Sequence, residues 1–436
     1  MISPLIACWI GFFIFILLMG LGLPIFITLG LGAIIGIFLC EGTRTLAAIS
    51  SVAFSSGYSF SFVAVTLFVF MGYLVVEHKL GENLFDVTSK WLGEVKGGLA
   101  MASSVFGALF GFICGSGIAG VVTVGGVCVP EMTKRGYNRQ FALGTLATVG
   151  GLAALIPPSL LMIIYTILTE ASLGKLFMAG IVPGLLLTAM ICLYIFIRVS
   201  LNPKLAPAGP RISWREKGKS LINLVPVAVI FISVLGGLYM GIWSAIEAGA
   251  TGVVAAFLIS LAYRRVTWGT VKAASLDTVR VFGMIFMLTI GSNLMSLLFF
   301  LSGADALIVK VTLGLNLPGW GIILIMWGIM FILGGPLEPP AIMMICTPIF
   351  LPIVLALGYD PVWFGIVMVL ACEVATLSPP VGMSVFAIMR VAPEGTTVGE
   401  VFRGIMPYMG IICLLLLLIL FFPEIVMWLP NTMRGG

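Results

Sequence analysis

The chain has 436 residues, of which 61% are hydrophobic and only 9% are charged, whereas a soluble domain carries about 25% charged residues. The net charge of +5 does not indicate nucleic-acid binding, because the basic residues fall in short segments between long apolar stretches. Eight cysteines without a CxxC pair and a single histidine argue against a metal cluster or a disulfide framework.

Uniformly apolar stretches of about 20 residues predict an all-α integral membrane protein that passes through the lipid bilayer several times. Backbone in lipid must satisfy its own hydrogen bonds, so it forms helices or closed barrels. Barrel strands would alternate apolar and polar residues, and these stretches do not. We expect about ten transmembrane helices. The predicted spans are 4–20, 22–40, 60–77, 141–168, 176–198, 221–240, 242–262, 281–300, 361–388 and 404–422.

Two further apolar stretches, 99–130 and 318–352, are broken near their middles by glycine or proline. Basic residues collect in cytoplasmic loops. Eighteen of the 22 Lys and Arg residues fall on one side if each broken stretch enters and leaves the membrane on the same side. We therefore predict two re-entrant hairpins. The segment 78–98 has one apolar and one charged face, which predicts a helix in the cytoplasmic interface, with an ordinary solvated connector as the alternative.

The second half of the chain repeats the first. A Gly-Tyr pair at 136–137 and a Pro-Pro pair at 157–158 recur 222 residues later, at 358–359 and 379–380. Five predicted crossings separate the two Gly-Tyr pairs, and an odd number inverts the second copy relative to the first. Inverted repeats with broken helices are typical of secondary transporters.

The predicted organisation is two inverted-topology repeats, 1–198 and 221–436, joined by a cytoplasmic loop at 199–220. In each repeat the first three spans form a scaffold, and the hairpin with the last two spans forms a transport core. The first repeat has its core in 99–130, 141–168 and 176–198, and the second has its scaffold in 221–300 and its core in 318–352, 361–388 and 404–422.

The interruptions predict where an ion and a substrate bind. A broken helix offers N–H groups to anions and carbonyl groups to cations, and proline frees the carbonyl one turn earlier. We expect each hairpin tip and the helix break after it to form one Na+ site with the substrate between them, with Ser116, Thr376 and Ser378 as hydroxyl ligands. The alternative is that these glycines and prolines only allow kinks and close packing.

Acidic residues inside the membrane are the next candidates, because an ionisable group there is functional by default. Glu338 lies in the second hairpin tip and Glu373 just before the second break. Each could bind a cation, carry a proton or cap free N–H groups. We consider both for substrate binding, together with Ser159 at the first break, whereas Glu247 falls in the predicted scaffold. No arginine is placed in the core, so an anion would be held by helix ends.

PEMTKRGY at 130–137, IPPSLLMIIYTILTEASLGKLFMAGIVPG at 156–184 and the segment at 337–382 resemble the large membrane subunit of TRAP transporters, the DctM-like family. The resemblance implies a permease that imports a small organic acid, with Na+ as the coupling ion, by an elevator mechanism in the bacterial inner membrane. It also implies a small four-helix membrane subunit and a periplasmic substrate-binding protein as partners. The Na+ positions that it implies are Gly115, Ser116, Gly117, Ile156, Gly334, Gly335, Pro336, Thr376 and Ser378.

The chain departs from the family pattern at two places. Gly117 and Gly120 stand where the first tip usually has a hydroxyl residue, and Ala371-Cys372-Glu373 stands where the family often has NLE. The alternatives are a stand-alone Na+-coupled dicarboxylate carrier and, less favoured, an ion channel, although no acidic ring or repeated filter is present. No HExxH, catalytic triad or GxxxxGK[ST] motif occurs, so neither an enzyme nor an ATP-driven pump is predicted.

Overall fold

The structure is a computed structural model that describes residues 3–42, 45–80, 82–335 and 337–433. Every regular element in these ranges is a helix. Six helices are long and apolar enough to cross a membrane, or up to eight if each of two bent helix pairs counts as one span. The all-α membrane fold is therefore confirmed. The count of ten stays a prediction, since five further apolar helices have only 10–17 residues.

Each half of the chain contains ten helices in the residues that the structure describes. The first half contains α1 (Pro4–Gly20), α2 (Ile25–Glu41), α3 (Thr45–Gly57), α4 (Ser61–Glu77), α5 (Glu82–Leu92), α6 (Gly98–Cys114), α7 (Gly117–Lys134), α8 (Arg139–Leu155), α9 (Leu160–Thr169) and α10 (Leu173–Leu201). The second contains α11 (Trp214–Tyr239), α12 (Ala245–Ala262), α13 (Trp268–Ser302), α14 (Ala304–Gly314), α15 (Gly319–Leu333), α16 (Pro339–Ala356), α17 (Pro361–Leu377), α18 (Met383–Met389), α19 (Val398–Phe421) and α20 (Glu424–Asn431).

One group of helices, α1–α4 with α11–α13, packs through small residues. Helix α2 lies between α1 and α13, and α4 packs on α12 and α13. A methyl group on Gly11 would lie 2.6 Å from the carbonyl oxygen of Gly32, so α1 and α2 approach this closely only because both residues are glycine. Helix α3, which the sequence pattern did not predict, is bent by 51° from α4.

Several of the remaining helices pack in reciprocal pairs across the two halves. Helix α8 contacts α19 of the second half, and its counterpart α17 contacts α10 of the first. Likewise α9 contacts α16, and α18 contacts α7. In these pairs, a contact made by an element of one half is matched by the equivalent element of the other. Such reciprocity is the contact pattern that two copies related by a two-fold axis would give.

The turn of the first hairpin requires a glycine at position 115. Helix α6 ends at Cys114, Gly115 has a φ of +62°, and α7 begins two residues later. A methyl group on Gly115 would lie 2.3 Å from the carbonyl oxygen of Pro158. The N–H of Leu160 donates to the Gly115 carbonyl at 3.1 Å. The tip therefore lies directly on the break between α8 and α9.

The end of α4 is fixed by the single histidine. His78 is buried, with Nδ1 2.8 Å from Oγ of Ser260 in α12 and Nε2 3.0 Å from Oγ1 of Thr270 in α13. Arg265 donates to the carbonyl groups of His78 and Lys79. Helix α5 therefore starts from a point that is held by two other helices.

Helix α5 and the turn after it hold the loop that joins the two halves. Trp91 Nε1 donates to the carbonyl of Lys217 at 3.2 Å, and Lys217 Nζ lies 3.1 Å from Oε1 of Glu94. The N–H of Ile212 also donates to the Glu94 carboxylate. This N–H group, together with the Lys217 ammonium, holds the pKa of Glu94 below its usual range. The loop 203–220 is therefore fastened along α5.

Replacing Glu94 with Gln should loosen this loop. A depressed pKa means that the carboxylate stabilises the fastened loop above the usual carboxyl pKa, and that this stabilisation is lost as pH falls through the folded pKa. We expect lower protection against hydrogen exchange over 203–216, relative to the intrinsic exchange rate at each pH, in Glu94→Gln at neutral pH and in the unaltered protein under acid. Glu216→Gln, an exposed acid of the same loop, is the control. Equal exchange in Glu94→Gln and the unaltered protein would contradict this role.

Gly115→Ala should destabilise the first hairpin. A positive φ costs a residue with a side chain about 1–2 kcal/mol, and the added methyl group would overlap the Pro158 carbonyl. We expect a lower thermal unfolding midpoint in detergent. In Gly126→Ala of α7 the added methyl group would meet nothing within 4 Å, so this control should keep the midpoint of the unaltered protein. Equal midpoints for both variants would show that the tip tolerates a side chain.

Candidate functional site

A cavity of about 230 Å³ lies where the first hairpin tip meets the ends of five other helices. Its walls come from α4 and α13 on one side and from α8, α9, α16, α17 and α18 on the other. The cavity therefore lies at the boundary between the helix group that contains α4 and α13 and the helices that carry the hairpins and breaks. The polar groups that line it come from Tyr73, Cys114, Ser116, Glu338, Glu373, Thr376 and Ser384.

The first hairpin tip contributes Gly115, Ser116 and Gly117 to this lining. Ser116 is the residue before α7, and its side chain makes no hydrogen bond to the first turn of that helix. The N-terminus of α7 is thus not capped by its own serine, and it carries partial positive charge. The tip offers both a hydroxyl group and backbone groups at the edge of the cavity.

The second half contributes Glu338, Glu373 and Thr376. Glu338 precedes α16 and is exposed, without a capping bond from its side chain. Glu373 is only 3% exposed, although it belongs to the lining. The hydroxyl of Thr376 donates to the carbonyl of Glu373 at 2.8 Å. The sequence candidates from this half that reach the cavity are therefore two acids and one hydroxyl.

The lining contains no basic side chain in the part of the chain that the structure describes. Neither Glu338 nor Glu373 forms an ion pair with a described lysine, arginine or histidine. A charged carboxylate away from water is stable only when a cation compensates it. The electrostatics of the cavity therefore favour positive ions near the acids and backbone or hydroxyl contacts for an anion.

The other candidates lie just outside the cavity. Ser378 is buried, and its hydroxyl donates to the carbonyl of Ala375. Gly334 packs on Ala375, where a methyl group would lie 2.2 Å from its Cβ, and Gly335 lies near Pro380. The second tip thus contacts the second break, as the first tip contacts the first. Pro336 lies outside the residues that the structure describes.

At the first break, Ile156 and Ser159 are fully buried and do not line the cavity. The Ser159 hydroxyl has no hydrogen-bond partner, which is rare for a buried polar group. Ion binding at these positions stays a prediction, but the proximity of each tip to its own break is a feature of the structure.

Three polar lining residues were not among the site candidates from the sequence, and one of them, Cys114, is the last residue of α6. Tyr73 comes from α4 and Ser384 from the short helix α18. Ser384 follows the second Pro-Pro pair closely, and this spacing could have identified it. For Tyr73 no motif was available, because only the packing of α4 against the hairpin tip turns this face of the helix to the cavity.

Two solved transporter structures share the fold. The MtrF protein of Neisseria gonorrhoeae, described within a class of antimetabolite efflux pumps, superposes with a TM-score of 0.60 at 14% identity, over 87% of this chain and 84% of that one. The YdaH transporter of Alcanivorax borkumensis gives a TM-score of 0.57 at 17% identity, over 87% and 88% of the chains. At such low identity the likeness concerns the fold alone.

Sequence comparison is more specific. The chain is 32% identical to the C4-dicarboxylate TRAP transporter large permease protein DctM of Pseudomonas aeruginosa, over 93% of this chain and 94% of that one. It is 29% identical to the ectoine TRAP transporter large permease protein TeaC of Halomonas elongata, over 94% and 96%. It is 30% identical to the isethionate TRAP transporter permease protein DctMQ of Oleidesulfovibrio alaskensis, over 95% and 65%.

The family described as the tripartite ATP-independent periplasmic transporter, DctM component, matches residues 12–425. These proteins are transporter permease subunits and not enzymes. The match spans both hairpins and both helix breaks, and so it includes every residue of the cavity. The resemblance found in the sequence is thereby confirmed, and the chain belongs to the DctM family of TRAP transporter large permease subunits.

Proposed function

We propose that the chain imports a small organic acid across the bacterial inner membrane by Na+ symport, as the large permease of a tripartite system that depends on a binding protein. The observation that carries this proposal is the cavity, where the first hairpin tip, the helix after the second tip and the ends of both broken helices converge. In secondary transporters such interruptions supply the ion and substrate sites.

Sodium as the coupling ion is supported by the type of ligand available. The cavity offers backbone carbonyl groups at the first tip, the hydroxyls of Ser116, Thr376 and Ser384, and two carboxyl groups. Hard cations prefer such oxygen ligands. The buried, unpartnered hydroxyl of Ser159 at the first break is a further oxygen that a bound ion would satisfy. No basic side chain of the described lining competes for these positions.

A small organic acid is the substrate class that fits both the relatives and the cavity. The relatives are permeases for C4-dicarboxylate, ectoine and isethionate. A cavity of about 230 Å³ has room for a small molecule only, since sites for drug-sized ligands measure about 300–1,000 Å³. Without an arginine in the lining, a carboxylate would be bound by the uncapped N-terminus of α7 and by hydroxyl groups.

An elevator mechanism is supported by the position of the cavity. One wall belongs to α4 and α13, and the opposite walls carry the hairpin tips and helix breaks. If the second group of helices slides as a body along the first, the cavity contents move with it. The reciprocal contacts α8–α19 and α17–α10 support the inverted duplication that would give two equivalent end states.

The proposed partners are a small four-helix membrane subunit and a periplasmic substrate-binding protein. The DctMQ relative is longer than this chain, which matches 65% of it. We infer that the additional part corresponds to the small membrane subunit. The binding protein would deliver the substrate, and so it would determine which acid reaches the cavity.

Reconstitution into liposomes tests the whole proposal. With the permease, the small subunit and the loaded binding protein, an inward Na+ gradient should drive accumulation of labelled substrate. Replacing Na+ by K+ should abolish that accumulation, because the energy comes from the Na+ gradient. Accumulation without the binding protein would instead identify a stand-alone carrier. Accumulation that does not depend on Na+ would refute the proposed coupling.

Ser116→Ala and Thr376→Val should each raise the Na+ concentration that gives half-maximal uptake. Loss of one hydroxyl ligand costs about 1 kcal/mol, which corresponds to about fivefold in affinity. Ser275→Ala removes a hydroxyl of α13 that only bonds its own helix, to the carbonyl of Val271, so it should leave the Na+ dependence unchanged. If both cavity variants behave like this control, their side chains do not bind the ion.

A further inference from the structure

The carboxyl group of Glu373, a residue of the second half, lies against helices of the first half. Glu373 belongs to α17, yet its Oε2 lies 3.1 Å from where a methyl group on Gly151 of α8 would be. Its Oε1 lies 3.5 Å from the equivalent position on Gly117, the first residue of α7. The side chain therefore crosses from the second broken helix to the first hairpin tip and the first broken helix.

Glycines create the space that this carboxyl group occupies. The carbonyl oxygen of Gly150 lies 3.1 Å from the same methyl position on Gly117 that faces Glu373. Gly151 lies 222 residues before Glu373, which is the spacing of the predicted repeat, so the two positions are equivalent in it. The two halves thus place an acid and a glycine at equivalent positions, and the single acid fills the room that the glycine leaves. The Glu373 carboxyl group and the Gly150 carbonyl oxygen therefore both lie beside the start of α7.

The carboxyl group of Glu373 has no protein cation to compensate it. The residue is 3% exposed and lines the cavity, and no described lysine, arginine or histidine forms an ion pair with it. The break beside the same tip contains the Ser159 hydroxyl, which is fully buried and has no hydrogen-bond partner. A buried carboxylate is unfavourable unless a cation compensates it or a proton neutralises it, and a buried hydroxyl without a partner is unfavourable unless a ligand satisfies it.

We propose that Glu373 is the charged ligand of a cation site at the first hairpin tip, so that one Na+ is held by residues of both halves. This inference rests on the proposed Na+ symport and adds to it a ligand that comes from the opposite repeat. The carboxylate supplies the negative charge, and carbonyl groups of the tip supply neutral oxygens. A bound ion would join α17 to α7, and so it would stabilise the tip in its position over the break.

The test measures Na+ binding without transport. The thermal unfolding midpoint of the purified full-length permease in detergent is recorded over a series of NaCl concentrations, with choline chloride keeping the ionic strength constant. A ligand that binds only the folded protein raises this midpoint as its concentration passes the dissociation constant. In Glu373→Gln the Na+ concentration at half of the effect should rise at least about tenfold, because the charge is removed from a poorly solvated site.

Glu247→Gln is the matched control. Glu247 is an acid of a predicted span, but its carboxylate accepts a bond from the N–H of Ser244 at the start of α12, outside the cavity. This variant should unfold at a lower temperature at every Na+ concentration and keep the Na+ midpoint of the unaltered protein. If Glu373→Gln does not fold, Gly151→Ala displaces the carboxyl group by its added methyl and should also raise the Na+ midpoint, whereas Gly126→Ala should not.

The outcomes separate this inference from the proposed function. If Na+ stabilises the unaltered protein and Glu373→Gln equally, the symport proposal stands and Glu373 is not a ligand. The same conclusion follows if the Na+ midpoint is unchanged while the pH dependence of uptake disappears, since Glu373 would then carry a proton. If Na+ fails to stabilise the unaltered protein at all, the proposed coupling and this site both fail.

Discussion

The contact between each hairpin tip and the helix break beside it is the constraint on which the rest of the structure depends. At the first tip, Gly115 lies so close to the carbonyl of Pro158 that no side chain fits between them. At the second, Gly334 packs on Ala375 with equally little room. Backbone that is not helical can exist at membrane depth only where other protein atoms surround it. The tips and breaks satisfy this condition for each other, and the cavity is the space that remains beside them.

Much of the fold could be predicted because its signals are local. Long apolar runs predict the helices, and the paired Gly-Tyr and Pro-Pro positions predict an internal duplication. Helix α3 was missed because serines dilute its apolar pattern, although Ser55 and Ser56 donate to a carbonyl within the helix, as membrane helices allow. The bend between α3 and α4 also depends on packing that no local pattern records.

The site was less predictable than the fold. Ser116, Glu338 and Thr376 reach the cavity as expected, since glycine and proline mark the tips and breaks that carry them. Ser378 and Gly334 adjoin the second break, but both residues are buried in the packed core and do not line the cavity. Tyr73 and the direction of Glu373 could not be inferred, because the rotation of α4 and α17 about their axes is determined by contacts between distant parts of the chain. A repeat indicates which residues are equivalent, but not which of them carries the charge.

The described lining of the cavity contains acidic but no basic side chains. A positive charge to compensate the acids would therefore have to come from a bound ligand. Two acids face a space with an uncapped helix N-terminus at its edge. A cation would compensate the two acids, and an anion would compensate the partial positive charge of the helix N-terminus. The two ions together would therefore bind more favourably than either ion alone. Coupling between ion and substrate would then arise from the shared cavity itself.

The fastening of the loop 203–220 along α5 has a mechanical consequence. Helix α5 and this loop are two of the passages by which the chain runs between the two helix groups. Glu94 of the first passage contacts Ile212 and Lys217 of the second. The residues just before α5 are held by His78, which is hydrogen-bonded to Ser260 of α12 and Thr270 of α13. The two passages are therefore held together as one connection between the helix groups, anchored near His78 at one end and at Lys217 at the other.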